Sequence, residues 1–160
     1  MGPDDRGGAA VSGAGGGPPA LSEEEQVVRR QAMPALFVGT PYLATLGLVV
    51  EHYEPDEVEI RLPFRHDLSN DGHTYHGGVV ATMLDTAGAL AAWSNHDFDR
   101  GVRAATVSMS VQYLAASDRT DLVCRAVTVR RARELIFTQI TATDPSGRVL
   151  AQALQTYRIT

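Results

Sequence analysis

The sequence predicts an α+β fold, and three observations carry that prediction. One helical pattern follows a Gly- and Pro-rich start, two strand patterns then precede a nearly unbroken apolar helix, and about four strand patterns follow it with no further helix among them. Elements segregated in this way suit helices packed on an antiparallel sheet better than a parallel βαβ design. With 160 residues and 44% hydrophobic content, the chain is expected to build one domain around one core.

Residues 1–20, MGPDDRGGAAVSGAGGGPPA, are dominated by Gly, Ala and Pro. They read as a disordered tail with nothing to bury, leaving 21–160 as the domain. No basic segment followed by an apolar run is present, so a secretory signal is not expected. Arg6 stands where a myristoylation motif wants Ser or Thr. A cytoplasmic protein is the expectation.

Ser22-Glu23-Glu24-Glu25 matches a capping box and starts a helix running towards Val38, which Pro34 is expected to end or kink. Leu46 to Tyr53 suits a strand and Pro55-Asp56 a turn, after which Val58, Ile60, Leu62 and Phe64 alternate with polar residues. Residues 65–76 lack periodicity and read as loop. The apolar helix runs from about Gly78 to Asn95. Ala105, Val107, Met109, Val111 and Tyr113 then alternate with Thr106, Ser108, Ser110 and Gln112 as a strand. Leu122 to Val129 and Leu135 to Thr143 follow, and the turn Asp144-Pro145-Ser146-Gly147 leads into a last strand, Val149 to Ile159.

Composition excludes several classes. A formal charge of −5 argues against a nucleic-acid surface, which needs clustered cations. Cys124 is alone, so neither an internal disulfide nor a Cys-based zinc cluster is available. No apolar run is long enough to span a bilayer.

The chemistry is sought in NDGHTYHGGVVATMLDTAG, residues 70–88. Between Val79 and Trp93 only Thr82, Asp85 and Thr86 are polar. At 100° per residue Asp85 shares a face with Gly78, Ala81, Thr82, Gly88, Ala89 and Ala92, while Val79, Val80, Met83 and Leu90 project the other way. Asp85 is then either a wetted charge on a solvent face or the acid of a site that the small residues leave room for. Gly77 and Gly78 sit at the first helical turn, whose N–H groups lack intrahelical partners and favour an anion or a developing oxyanion. Asn70 taken alone reads as a turn residue.

Together, Asn70, His76-Gly77-Gly78 and Asp85 resemble the signature of the hot-dog-fold acyl-CoA thioesterases, in particular their PaaI-type branch. There an Asn is followed six residues later by His-Gly-Gly and then by an acid on the central helix. Pro41-Tyr42 with Leu46-Gly47, Val107 to Tyr113, and Gly147 to Tyr157 resemble the family's opening strand, third strand and closing hairpin. Where the family usually has glycine three places after the Asn, this chain has His73, with Gly72 one place earlier.

The resemblance implies a long central helix wrapped by a curved antiparallel sheet of five or six strands. It also implies a homodimer or homotetramer with active sites at the dimer interface, acyl-CoA as substrate, and no cofactor. Asp85 would be nucleophile or general base. The Gly77 amide would bind the thioester oxygen, with His76 shaping the loop beside it. Asn70 would orient the attacking group or water from the opposing chain, and Thr106 would help position that water. Gly78 and Thr82 would line the substrate channel. A thioester has weak resonance and a good leaving group, so one carboxylate and a pair of aligned amides are expected to be enough.

Other residues are weighed against this set. Arg130, Arg131 and Arg133 either grip CoA phosphates or shield a sheet edge as solvated charges. His66, Asp71, His73 and His76 match no standard ligand spacing, so no metal is expected. Trp93, Met83 and Cys124 read as core. Two alternative functions are a non-catalytic acyl-CoA-binding hot-dog module and a hot-dog enoyl-thioester hydratase or dehydratase; the latter's differently spaced His–acid motif is not found in the sequence.

Overall fold

The computed structural model describes residues 19–160, so the expected tail lies outside the described residues as far as residue 18. Helix α1 (Glu23–Val38) begins with the expected capping box. Ser22 Oγ accepts from the Glu25 N–H, and the Glu25 carboxylate accepts from the Ser22 N–H at 2.8 Å. The helix runs through Pro34 and stops at Gly39. A four-residue helix α2 (Pro41–Ala44) follows where the resemblance implied the opening strand. Pro41 begins it because the fixed φ of proline suits a first helical turn.

The strands are β1 (Val49–Glu54), β2 (Glu57–Leu62), β3 (Ala104–Tyr113), β4 (Leu122–Ala132), β5 (Leu135–Thr143) and β6 (Val149–Ile159). They form one curved antiparallel sheet in the order β1-β2-β4-β5-β6-β3. Helix α3 (Gly77–Ser94) lies between β2 and β3 in the chain and packs across the sheet. The core between them is closed by Ile60, Leu62, Met83, Leu84, Leu90, Leu122 and Ile140, all fully buried. Trp93 is also buried, as expected. Cys124 is fully buried on β4, and burial raises its thiol pKa, as suits an inert core residue. No helix among the described residues is long and apolar enough to cross a membrane.

One departure from simple alternation positions the site. On β3, Thr106 faces Tyr157 of β6 and Ser108 faces the adjacent Thr156, leaving Val107 as the extra residue of a bulge. Strict alternation would group Val107 with Met109 and Val111. The bulge instead leaves Val107 58% exposed and turns Thr106 towards α3, while Met109 and Val111 stay packed on the core.

Candidate active site

The loop before α3 is held by short-range bonds. Asp71 Oδ1 accepts from the N–H groups of His73 and Thr74, so the side chain that closes this turn is that of Asp71 and not of Asn70. Asn70 donates its backbone N–H to Thr74, but its exposed side chain bonds to no described residue. Gly72 has φ +82°, and a Cβ there would lie 2.8 Å from the His66 ring. The glycine one place early is therefore required by this turn. His73 occupies the family's glycine position and reaches away, its Nε2 2.7 Å from the Arg119 guanidinium.

His76 is the N-cap of α3. Its Nδ1 accepts from the Gly78 N–H at 2.9 Å, which places the proton of the neutral ring on Nε2. Its carbonyl accepts from Val79 and Val80. Gly77 N–H is left without a partner among the described residues. Of the two glycine amides expected to act together, one is free and the other is used by His76.

Two turns along, Asp85 is half-buried. Its Oδ1 accepts from Thr106 Oγ at 2.6 Å and from Gln155 Nε2 at 2.7 Å. Oδ2 has no partner among the described residues. The carboxylate lines a cleft of about 290 Å³ whose walls include Phe37, Tyr42, Leu43, Ala89 and Tyr157. Thr82 donates to the Gly78 carbonyl at 2.9 Å, so its hydroxyl accepts from Tyr42 at 3.0 Å, and Tyr42 spans the cleft edge. Burial raises the Tyr157 pKa, and the nearby Asp85 charge adds to this, keeping the phenol protonated.

The expected small-residue channel is only partly open. Gly78, Ala81, Thr82 and Asp85 retain accessibility, whereas Gly88, Ala89 and Ala92 are buried. Met33 and Phe37 of α1 and Tyr157 of β6 pack with Ala89 and Ala92, and Gln155 and Thr138 lie against Gly88. Arg131 lies at the far end of α3, donating to the carbonyls of Ala91 and Ala92 and pairing with Asp56. Arg130 is exposed on the same strand, also away from Asp85. A larger cavity, about 570 Å³, lies at that end beside Arg100, Arg131 and Arg133 and contains none of the Asp85 group.

Gln155 was missed by the sequence reading, although a signal exists. It is the polar member of an inward row, Ala151, Ala153, Gln155, Tyr157, Ile159, just as Thr138 is on β5 among Ile136, Ile140 and Ala142. A polar residue in such a row is buried and needs a partner.

The family model described as a domain of unknown function, DUF4442, matches residues 29–159. The chain belongs to that family. A Halobacterium salinarum protein named as an inferred esterase is 34% identical over 113 residues, covering 69% of this chain and 74% of its own. Human acyl-coenzyme A thioesterase 13 is 27% identical over 130 residues, covering 79% of this chain and 91% of its own. A thioesterase family protein from Silicibacter pomeroyi superposes with a TM-score of 0.73 at 29% identity, over 81% of this chain and 98% of that one. The Escherichia coli PaaI protein gives the same TM-score at 15% identity, over 84% and 96%; that likeness concerns the fold alone. The DUF4442 chain thus has the hot-dog architecture of the thioesterase superfamily, as the resemblance implied.

Proposed function

We propose that the protein hydrolyses an acyl-CoA thioester to a free acid and CoA, at sites shared between two protomers. The observation that carries this is the clamped Asp85 carboxylate, with Oδ1 held by two donors and Oδ2 without a partner among the described residues, lining a cleft whose walls include Phe37, Leu43, Ala89 and Tyr157. An acyl group fits such walls, and Oδ2 is the atom that attacks the carbonyl or takes a proton from water. Thr106 donates its only hydroxyl proton to Asp85, so towards a water it can only accept. A water donating one hydrogen to Oδ2 and the other to Thr106 keeps a lone pair for the carbonyl.

The free Gly77 amide is the oxyanion donor in this reading. Eight residues along one helix separate it from Asp85, about 12 Å at the α-helical rise. One thioester carbonyl does not reach both within a single chain, which favours Gly77 and Asn70 from one protomer acting with Asp85 and Thr106 of the other. β3 supports this arrangement: β6 pairs with one of its edges, and exposed Val107 and Tyr113 lie along it. Exposed Val129 and Leu154 on the outer face of the sheet support pairing of dimers into a tetramer.

The test is thiol release over a panel of short, long and aromatic acyl-CoAs, run beside Asp85→Asn. Turnover by the native chain that drops by about 10² to 10⁴ in the variant is expected. Saturable acyl-CoA binding without release would instead make the protein a binding module. Native turnover in a folded Asp85→Asn would remove the carboxylate from the mechanism.

A further inference from the structure

We propose that Gln155 is a positioning residue for the Asp85 carboxylate, fixing which oxygen meets the substrate. The assignment rests on the reading of Asp85 given above. Gln155 sits on β6, only 2% exposed, and its amide nitrogen donates both to Asp85 Oδ1 at 2.7 Å and to the Asp85 main-chain oxygen at 3.0 Å. Those are the two hydrogens an amide NH₂ has. At the other end of the amide, Thr138 Oγ, 1% exposed, donates to Gln155 Oε1 at 3.2 Å. With a donor at the oxygen and two acceptors at the nitrogen, only one orientation of the amide satisfies every group. A flipped amide would set oxygen against carboxylate.

The helix is built to admit this contact. Gly88 follows Asp85 by three residues on the same face, and a Cβ there would collide with Gln155 Oε1 and lie 2.9 Å from Thr138 Oγ. A glycine inside an otherwise Ala- and Leu-rich helix makes room for a side chain from the sheet. Thr106 reaches the same Oδ1 from β3 through the bulge. Two strands therefore converge on one oxygen and leave the second without a partner among the described residues, on a carboxylate that lines the cleft. Gln155 does not touch the substrate; it acts through the rotamer of Asp85.

The experiment is steady-state thiol release, with the acyl-CoA turned over best, by Gln155→Ala, Gly88→Ala and the double variant, each with its thermal midpoint. Gln155→Ala is expected to lower kcat by about 10²-fold, as a small misplacement of a reacting group does, with KM within about threefold of native. In the double variant the Gly88→Ala methyl occupies space vacated by the truncated amide, so the midpoint recovers while kcat stays low. Recovery of kcat together with the midpoint would show Gln155 to be packing only and overturn the assignment. If the double variant stays unstable, Gln155→Leu fills the space without a donor: low kcat in it supports the role, and native kcat overturns it. Native turnover in Gln155→Ala beside an inactive Asp85→Asn would overturn this assignment alone. Native turnover in Asp85→Asn would overturn both readings.

Discussion

At its C-terminal end α3 hands its last carbonyls to groups of the same polypeptide, whereas its N-terminal half leaves an amide and a carboxylate oxygen without partners among the described residues. Ala91 and Ala92 are capped by Arg131, whose guanidinium also pairs with Asp56, and Asn95 holds the other oxygen of Asp56. Ser94 Oγ accepts from the Asp56 N–H and donates back to Ala91. The buried His96 ring packs on Trp93 and bonds to the Gly101 carbonyl at 2.8 Å. A cation at this end also suits the negative pole of the helix. Gly77 and Gly78 open the helix, and Asp85, two turns along, lines the open cleft. Polar groups at the closed end hold the fold, and those at the open end remain available for chemistry.

That contrast can be broken most directly at the open end. Gly77→Leu is expected to lower turnover by roughly 10²-fold through the lost oxyanion contact. A Cβ at Gly77 meets only the Tyr113 ring at 3.7 Å, an ordinary contact, so the melt reads what the rest of the leucine side chain costs. Steady-state kinetics and a thermal melt on one sample decide it, and a native rate would end the oxyanion role.

Mixing sharpens the comparison further. Gly77→Leu and Asp85→Asn are each expected to be nearly inactive. If each site draws its amide and acid from different protomers, co-refolding equal amounts restores about a quarter of native activity. Half of the dimers are then mixed, and one of their two sites is intact. No recovery would place both groups in one chain.

The closed end should answer differently. Arg131→Ala is expected to cost about 2 kcal/mol in urea unfolding, because charged hydrogen bonds to α3 carbonyls and to Asp56 are lost. KM for acyl-CoA should be unchanged, and a raised KM would restore a CoA-gripping role to this arginine.

The smallest effect concerns His96. Burial lowers its pKa in the fold, so between that lowered value and about 6.5 the unfolded chain binds more protons. Its contribution to stability is complete above that window and fades as pH falls through it. Urea midpoints at pH 7.5 and 5.5 should therefore differ less in His96→Asn than in the native chain.

Much of this was legible in local pattern. The boundaries of α3 came from an apolar run entered through His-Gly-Gly, and the late strands from alternation and the Asp144–Gly147 turn. Asp85 stood out because it is the one charge in that run. The small helix α2 was not legible, because Pro41-Tyr42 fits an extended segment as well as a first helical turn. Arg131 could be placed near a strand junction, but nothing in its neighbours says that α3 ends beside it.

What the sequence determined alone was the fold class, the central helix and the position of the candidate acid Asp85 on it, since each depends on spacing within one segment. The tertiary structure decided which groups surround that acid. The extra residue at Val107, which turns Thr106 inward, exists only in the register between β3 and β6. The contact of Gln155 with Asp85 spans 70 positions and needs the gap at Gly88. Alternation and helical periodicity describe one element at a time, whereas a hydrogen bond between elements depends on how they pack.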